Sequence, residues 1–287
     1  MRNLLAFVLV CLLACSAVHG GVVYVATSNG LIEKYDPDSG LRIGTFATGN
    51  SSPRYGLAFD VGGNLYSAHS GAIERFTPQG VMATFALTEG TPYSIIFDPL
   101  GNLFFADTGM VKRIGKITPS GTVSTFISDV AAIGLAFDNA GNLFASITGE
   151  GRIVKITPSG EKTIFANALS NPTGLAFDPD GNLYAAQNGG GEILKFTPSG
   201  TRSTYASQGG SNAPFGLTFD VAGRLFVTNG GTGAFNRIET NGAITQLAVL
   251  NNAGTFMAFP VPEPATASLF ATGLLVPLLR RKREKIG

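Results

Sequence analysis

One segment recurs along the chain and narrows the possible folds more than any other feature. Gly56-Leu57-Ala58-Phe59-Asp60 returns from Gly134 to Asp138 and from Gly174 to Asp178, and with small changes from Ser94 to Asp98 and from Gly216 to Asp220. A Gly-Asn-Leu-Phe or Gly-Asn-Leu-Tyr step follows four of the five copies, and Gly223-Arg224-Leu225-Phe226 follows the last. Phe59, Phe97, Phe137, Phe177, Phe219 and Phe259 are spaced by 38, 40, 40, 42 and 40 residues. A fixed period of this length signals an architecture assembled from one repeated unit. Within one unit, Gly174 to Phe177 is a short apolar strand and Asp178-Pro179-Asp180-Gly181 a turn, where Asp bonds back to the chain and Gly takes positive φ. Asn182 to Ala186 and Ile193 to Phe196 are the second and third strands. Thr197-Pro198-Ser199-Gly200 then turns the chain, and a fourth strand starts at Ser203-Thr204-Tyr205. Four short strands per unit make one propeller blade.

The first unit lacks its opening strand: Val22 to Thr27 matches the second strand and Ile32 to Tyr35 the third. The last unit has the complementary defect, because Phe256-Met257-Ala258-Phe259 matches only the inner strand. Joining the two fragments closes a ring and leaves no open sheet edge. The expected fold is therefore all-β, a six-bladed β-propeller with four-stranded blades, closed by pairing of the N- and C-terminal segments. Residues 21–260 form that domain. Thirty-eight Gly, 21 Phe and only 14% charged residues suit a turn-rich β protein. A net charge of +1 supplies no basic footprint, so nucleic acid is not an expected partner.

Both ends carry segments foreign to the repeat. Met1 and Arg2 precede an apolar run from Leu4 to Ala14 and small residues up to Gly20, the layout of a secretory signal peptide over residues 1–20. Both cysteines, Cys11 and Cys15, fall inside this leader, so the mature domain is expected to hold no thiol. A second reading takes Leu12-Leu13-Ala14-Cys15 as a lipobox with Cys15 acylated. At the other end, Val261-Pro262-Glu263-Pro264 breaks regular structure. The apolar stretch Ala265 to Leu279 follows, and Arg280-Arg281-Lys282-Arg283 ends it. Residues 261–287 thus read as a tail with a short membrane segment, although its 15 apolar residues fall below the roughly 20 needed to cross a bilayer core.

The alternating strand directions put the Asp-x-x-Gly-Asn and Thr-Pro-x-Gly turns on one face of the ring and the longer, dissimilar loops on the other. Variable loops on a rigid frame are the expected place for a binding site. Tyr55, Tyr93, Asn171, Thr173, Asn188, Asn212 and Asn229 are the candidate ligand-face residues, because aromatic and amide groups stack on and hydrogen-bond to uncharged polar ligands. Asp60, Asp98, Asp138, Asp178 and Asp220 read as turn caps rather than a metal ring. Asp178-x-Asp180-x-Asn182 opens like a calcium loop, but Gly189 stands where that loop needs Glu. His69 is the one histidine outside the leader and has no Cys or second His to form a zinc site. No catalytic residue, metal ligand or cofactor is expected.

These units resemble the NHL family and the related lactonase-like propellers, whose repeat also reads as an apolar strand, Asp-x-x-Gly-Asn, a second strand, and a third ending near Thr-Pro-x-Gly. The resemblance covers the whole of residues 21–260 and implies the fold, not an activity. Lactonase-like propellers hold a divalent ion with Glu, Asn and Asp, the Asn commonly preceding the Gly-Leu-Ala strand. Here the corresponding residues are Tyr55, Tyr93, Ile133, Thr173 and Phe215. Streptogramin-lyase-like propellers need a catalytic His, for which this chain offers His69 alone. The tail, with Pro262, Glu263 and Pro264, its apolar run, and Arg280, Arg281 and Arg283, resembles the PEP-CTERM sorting signal of Gram-negative bacteria. That resemblance implies an exosortase-like processing partner, transient anchoring in the inner membrane, and delivery to the envelope, cell surface or extracellular matrix. The expected function is a non-enzymatic binding or structural propeller with a polysaccharide or surface-protein ligand. The alternative is a metal-dependent hydrolase or lactonase.

Overall fold

The computed structural model describes residues 21–48, 52–109, 111–209, 213–250 and 254–260. The expected leader (residues 1–20), the expected tail (residues 261–287) and Asn212 lie outside the described residues. The described chain forms 24 strands in six four-stranded antiparallel sheets. Blades two to six are each continuous in sequence, running Arg54–Leu87, Pro92–Ser128, Leu135–Ala166, Pro172–Ser207 and Pro214–Val249. Blade one is the composite. Its inner strand is β24 (Gly254–Ala258), which pairs with β1 (Val23–Thr27), followed by β2 (Leu31–Tyr35) and β3 (Arg42–Thr48). Tyr24 faces Ala258 and Val25 faces Met257 across this join. The ring closes as the incomplete first and last units predict.

Each layer of a blade has its own burial pattern, and the sequence explains it. The second strand has sheet neighbours on both sides and adjacent blades on both faces, so all five residues of Leu65–His69, and of its counterparts in blades three to six, are buried. The outermost strand is largely exposed and turns one aromatic inward, as Phe85 does in Met82–Leu87. That aromatic completes a trio that recurs between blades. Phe144 of blade four lies 5.0 Å from Phe165 of its own outer strand and 5.1 Å from Phe177 of the next inner strand, both edge to face. Tyr24, Tyr66, Phe104 and Tyr184 hold the same place between Phe46 and Phe59, Phe85 and Phe97, Phe126 and Phe137, and Tyr205 and Phe219. In blade six Leu247 replaces the outer aromatic, and Phe226 keeps only Phe259 of the next blade. Ring edges directed at ring faces add to the area buried, which lets a domain without disulfides join its blades.

The motif residues now have causes. Asp60 Oδ1 accepts the backbone N–H groups of Gly62 and Asn64, at 2.9 and 2.8 Å, while Oδ2 accepts the Asn64 amide at 2.8 Å. The same carboxylate cap recurs at Asp98, Asp138 and Asp178. At Asp220 the Arg224 guanidinium takes the part of Asn, at 2.6 Å. The Gly of Gly-Leu-Ala is required by a close approach of backbones: a Cβ on Gly56 would stand 2.7 Å from the amide nitrogen of Ile95 in the next inner strand, and one on Gly134 would collide with the Thr173 carbonyl.

Candidate functional site

Loops joining second to third strands, and fourth strands to the next blade, form one face of the ring. On that face the loop-side ends of the inner strands carry one equivalent residue each around the channel mouth: Tyr55, Tyr93, Phe215 and Thr255, half-buried; Thr173, buried; and Ile133, two residues before the strand Leu135–Phe137. Tyr55 and Tyr93 are half-buried neighbours with ring centroids 4.5 Å apart and planes inclined by 35°. Burial, with Tyr93 alongside, pushes the Tyr55 phenol above its ordinary range, so it stays a neutral hydrogen-bonding group at physiological pH. Across the mouth Phe215 packs edge-on against Phe256, centroids 5.4 Å apart.

The other proposed ligand-face residues separate into two kinds. Asn171 is exposed in a left-handed conformation (φ 51°), and its carbonyl accepts the backbone N–H of the half-buried Asn188 at 3.1 Å. These two share one loop cluster of blade five. Thr173 and Asn229 are instead buried in the frame. The Thr173 hydroxyl donates to the Pro214 carbonyl at 3.1 Å, joining blades five and six. The Asn229 amide donates to Gln208 Oε1 at 2.7 Å. Similar hydroxyl clasps join other blades: Ser146 to the Thr173 carbonyl at 2.5 Å, Thr228 to that of Thr255 at 2.7 Å, and Thr255 to that of Arg54 at 2.9 Å.

Two buried charged groups under this face escaped sequence reasoning. Arg54, 1% exposed, meets Glu74 at 2.6 Å, donates to the Gly30 carbonyl at 2.9 Å and lies over the Phe76 ring. His69 Nε2 is 3.4 Å from Glu74, and its Nδ1 is 3.0 Å from the Ser70 carbonyl oxygen. The His69 side chain is buried on the second strand of its blade and is not among the residues that wall the central channel. In blade three Asp107, fully buried, accepts the Thr91 N–H at 2.9 Å beside Arg113. A signal existed for both groups. The last residue of the second strand is Thr27, His69, Asp107, Gln187 or Asn229 in five blades, polar at the end of an otherwise apolar strand.

A channel of about 380 Å³ runs between the six inner strands, walled by Leu57–Phe59 and the corresponding residues of the other blades. A larger cavity of about 960 Å³ opens on the opposite face, among Phe59, Phe97, Phe137 and the Asp60 and Asp98 turns. Among the described residues no group of three His, Cys, Asp or Glu is arranged to hold a metal ion. The mouth ring contributes no carboxylate, so its donors do not fit the divalent ion that a lactonase-like reading requires. Among the described residues no helix is long and apolar enough to cross a membrane, and residues 265–279 lie outside them.

Ring, seams and mouth together define a six-bladed propeller with an aromatic-lined channel entrance and buried polar supports. The model of the virginiamycin B lyase family matches residues 43–267, and the chain belongs to that family. No functionally curated protein matches it. Among solved structures, virginiamycin B lyase from Staphylococcus aureus is 20% identical, with a TM-score of 0.58, over 67% of this chain and 69% of that one. The nidogen/laminin complex gives 19% identity and a TM-score of 0.73 over 84% of this chain and 98% of that one. A protein from Bacteroides caccae gives 15% identity and a TM-score of 0.65, over 83% and 98%. At these identities the likeness is one of fold.

Proposed function

We propose that this propeller is an exported, non-enzymatic recognition module whose loop-side mouth binds an uncharged polar ligand, a glycan or a surface-protein segment. The observation that carries the reading is the Tyr55–Tyr93 pair: two adjacent, half-exposed aromatic rings at the channel entrance, with Asn171 and Asn188 in the same loop layer. Such rings stack on the apolar faces of sugars while amides satisfy the hydroxyls. The leader and the tail support export, with an exosortase-like enzyme as processing partner and the envelope or extracellular matrix of a Gram-negative bacterium as destination. The test is binding of a matrix polysaccharide fraction to the purified protein. Tyr55→Ala and Tyr93→Ala each should weaken binding roughly five- to tenfold, about 1 kcal/mol per lost stacking contact. Unchanged binding by both variants removes this mouth as the ligand site.

Family membership favours a second reading, a lyase acting on a compound such as the quinupristin solved with a catalytically inactive Staphylococcus aureus virginiamycin B lyase. The burial of His69 in the second strand, away from the residues that wall the channel, weighs against it. Chromatography of quinupristin after incubation with the protein decides: a new product peak that disappears in His69→Ala establishes the lyase and overturns the non-enzymatic reading.

A further inference from the structure

The face opposite the candidate ligand site has an uneven distribution of apolar residues that its turns do not require. Val61, Leu100 and Val221 are 90%, 81% and 73% exposed. All three lie inside Asp-x-x-Gly turns, where the Asp carboxylate and the Gly do the turning. Leu41, 70% exposed, follows the Gly40 turn on the same face. They belong to blades one, two, three and six. The equivalent turns of blades four and five carry Asn139-Ala140 and Pro179-Asp180, without a large apolar tip.

That arc surrounds the point where the chain leaves the ring. β24 runs toward this face and ends at Ala258, so Phe259 and Pro260 emerge where the other blades make their Asp turns. β1 starts from the same face, with Tyr24 opposite Ala258. Four residues, 261–264, then separate Pro260 from the apolar segment 265–279. Fully extended they reach about 14 Å. A chain that enters a membrane at residue 265 therefore keeps Pro260 within about that distance of the bilayer surface. As a helix, 15 residues measure about 22 Å, against a bilayer core of about 30 Å. Matching the two draws the flanking protein toward the interface.

We infer that the Asp-turn face rests against a lipid bilayer, with Val61, Leu100, Val221 and Leu41 at the membrane surface and the loop face directed away from it. This rests on the reading that segment 265–279 enters the membrane. Apolar side chains at loop tips gain free energy on leaving water for the interface, and a short tether removes most of the entropy cost of bringing them there. The orientation leaves the Tyr55–Tyr93 mouth open to large ligands.

Single-cysteine labelling of the full chain tests it, with Cys11→Ser and Cys15→Ser removing the native thiols. An environment-sensitive fluorophore is placed at Leu100→Cys, Val221→Cys or, on the loop face of blade two, Ser70→Cys, and the protein is reconstituted into phosphatidylcholine vesicles carrying a nitroxide-labelled lipid. The expected result is flotation with the vesicles, with quenching several-fold stronger at positions 100 and 221 than at 70. Flotation with equal quenching at the three positions, or more at 70, overturns the orientation and leaves the anchor intact. Failure to float overturns both. A blue-shifted, solute-protected fluorophore at positions 100 and 221 without lipid shows that the tail or a second copy covers the face, and also overturns the bilayer assignment.

Discussion

Truncation of one blade-interface aromatic, Phe144→Ala, should destabilise the ring by about 4 kcal/mol. Phe144 is 3% exposed and clamped from both sides, by Phe165 of its own outer strand and Phe177 of the next blade, with the Lys155 ammonium 5.5 Å from its ring centre. Loss of a buried phenyl group costs about 3–5 kcal/mol, and the larger values belong to sites that cannot collapse. Here the two flanking rings are held by separate blades, so neither can move into the gap without dragging a strand. Urea unfolding followed by circular dichroism provides the assay. With a slope of about 3 kcal/mol per molar urea, the midpoint should fall by roughly 1.3 M with the slope unchanged. Phe165→Ala, which removes a half-buried ring from the exposed outer strand, should cost about half as much. The Phe144/Phe177 double-mutant cycle should return a coupling of about 1 kcal/mol. A loss below about 1.5 kcal/mol for Phe144→Ala would show that the blades are held together elsewhere, and that the recurring trio is not the cement of the ring.

Glu74→Gln strands the buried Arg54 guanidinium and should cost about 3–5 kcal/mol in the same unfolding assay, whereas the paired replacement Arg54→Met with Glu74→Leu should cost less than either single change. Gly134→Ala forces a Cβ into the Thr173 carbonyl and should lower the thermal midpoint, while Gly149→Ala, with open space around the new methyl, should stay within about 0.5 kcal/mol of the parent. Burial pushes the phenols of Tyr24, Tyr35, Tyr55, Tyr66, Tyr184 and Tyr205 above the ordinary value, so in each case the folded state holds its proton more tightly than the unfolded chain. Their contribution to stability is complete below the unfolded value of about 10 and is lost as pH rises through the folded values. Absorbance at 295 nm should therefore show few tyrosines ionising near pH 10.5, then an abrupt rise on alkaline unfolding; smooth titration of all tyrosines near pH 10 would refute this. At the acidic end, hydrogen bonds from the Ser39 backbone and hydroxyl hold the Asp36 carboxyl below its usual range. That support is present above the unfolded value near 4 and is lost as pH falls through the folded one, so Asp36→Asn should flatten the decline of stability in acid.

The propeller was legible because its signals are local and repeated. Asp, Gly and Asn occur at fixed offsets in the turns, and the incomplete first and last units imply the closing pairing of Tyr24 with Ala258. The turn function of the five aspartates was legible for the same reason, since a carboxylate four residues before Asn64 or its counterparts caps that turn and no other. The seams were not. Ser146 reaches Thr173 across 27 residues, Arg54 reaches Gly30 across 24, and Thr255 reaches Arg54 across 201. Such contacts depend on where neighbouring blades meet, which no local pattern encodes. The candidate site was partly legible. Tyr55 and Tyr93 could be assigned to the mouth from their place before the repeat, but the burial of Thr173 and Asn229 depends on Pro214 and Gln208 in an adjoining segment. The apolar arc escaped notice because turn residues look interchangeable until the exit point of the chain is placed among them.

The composite first blade sets the order in which the ring can form. Blades two to six close on contacts within about 40 residues of sequence, whereas the Thr255 hydroxyl finds the Ala26 carbonyl across 229. Contacts so distant in sequence carry the largest loop-closure cost and form late. The join between β24 and β1 is accordingly expected to form last. Linking residue 260 to residue 21 and cutting instead at the Asp138 turn would move that slow step to blade four, leaving the final structure the same and changing only the path to it.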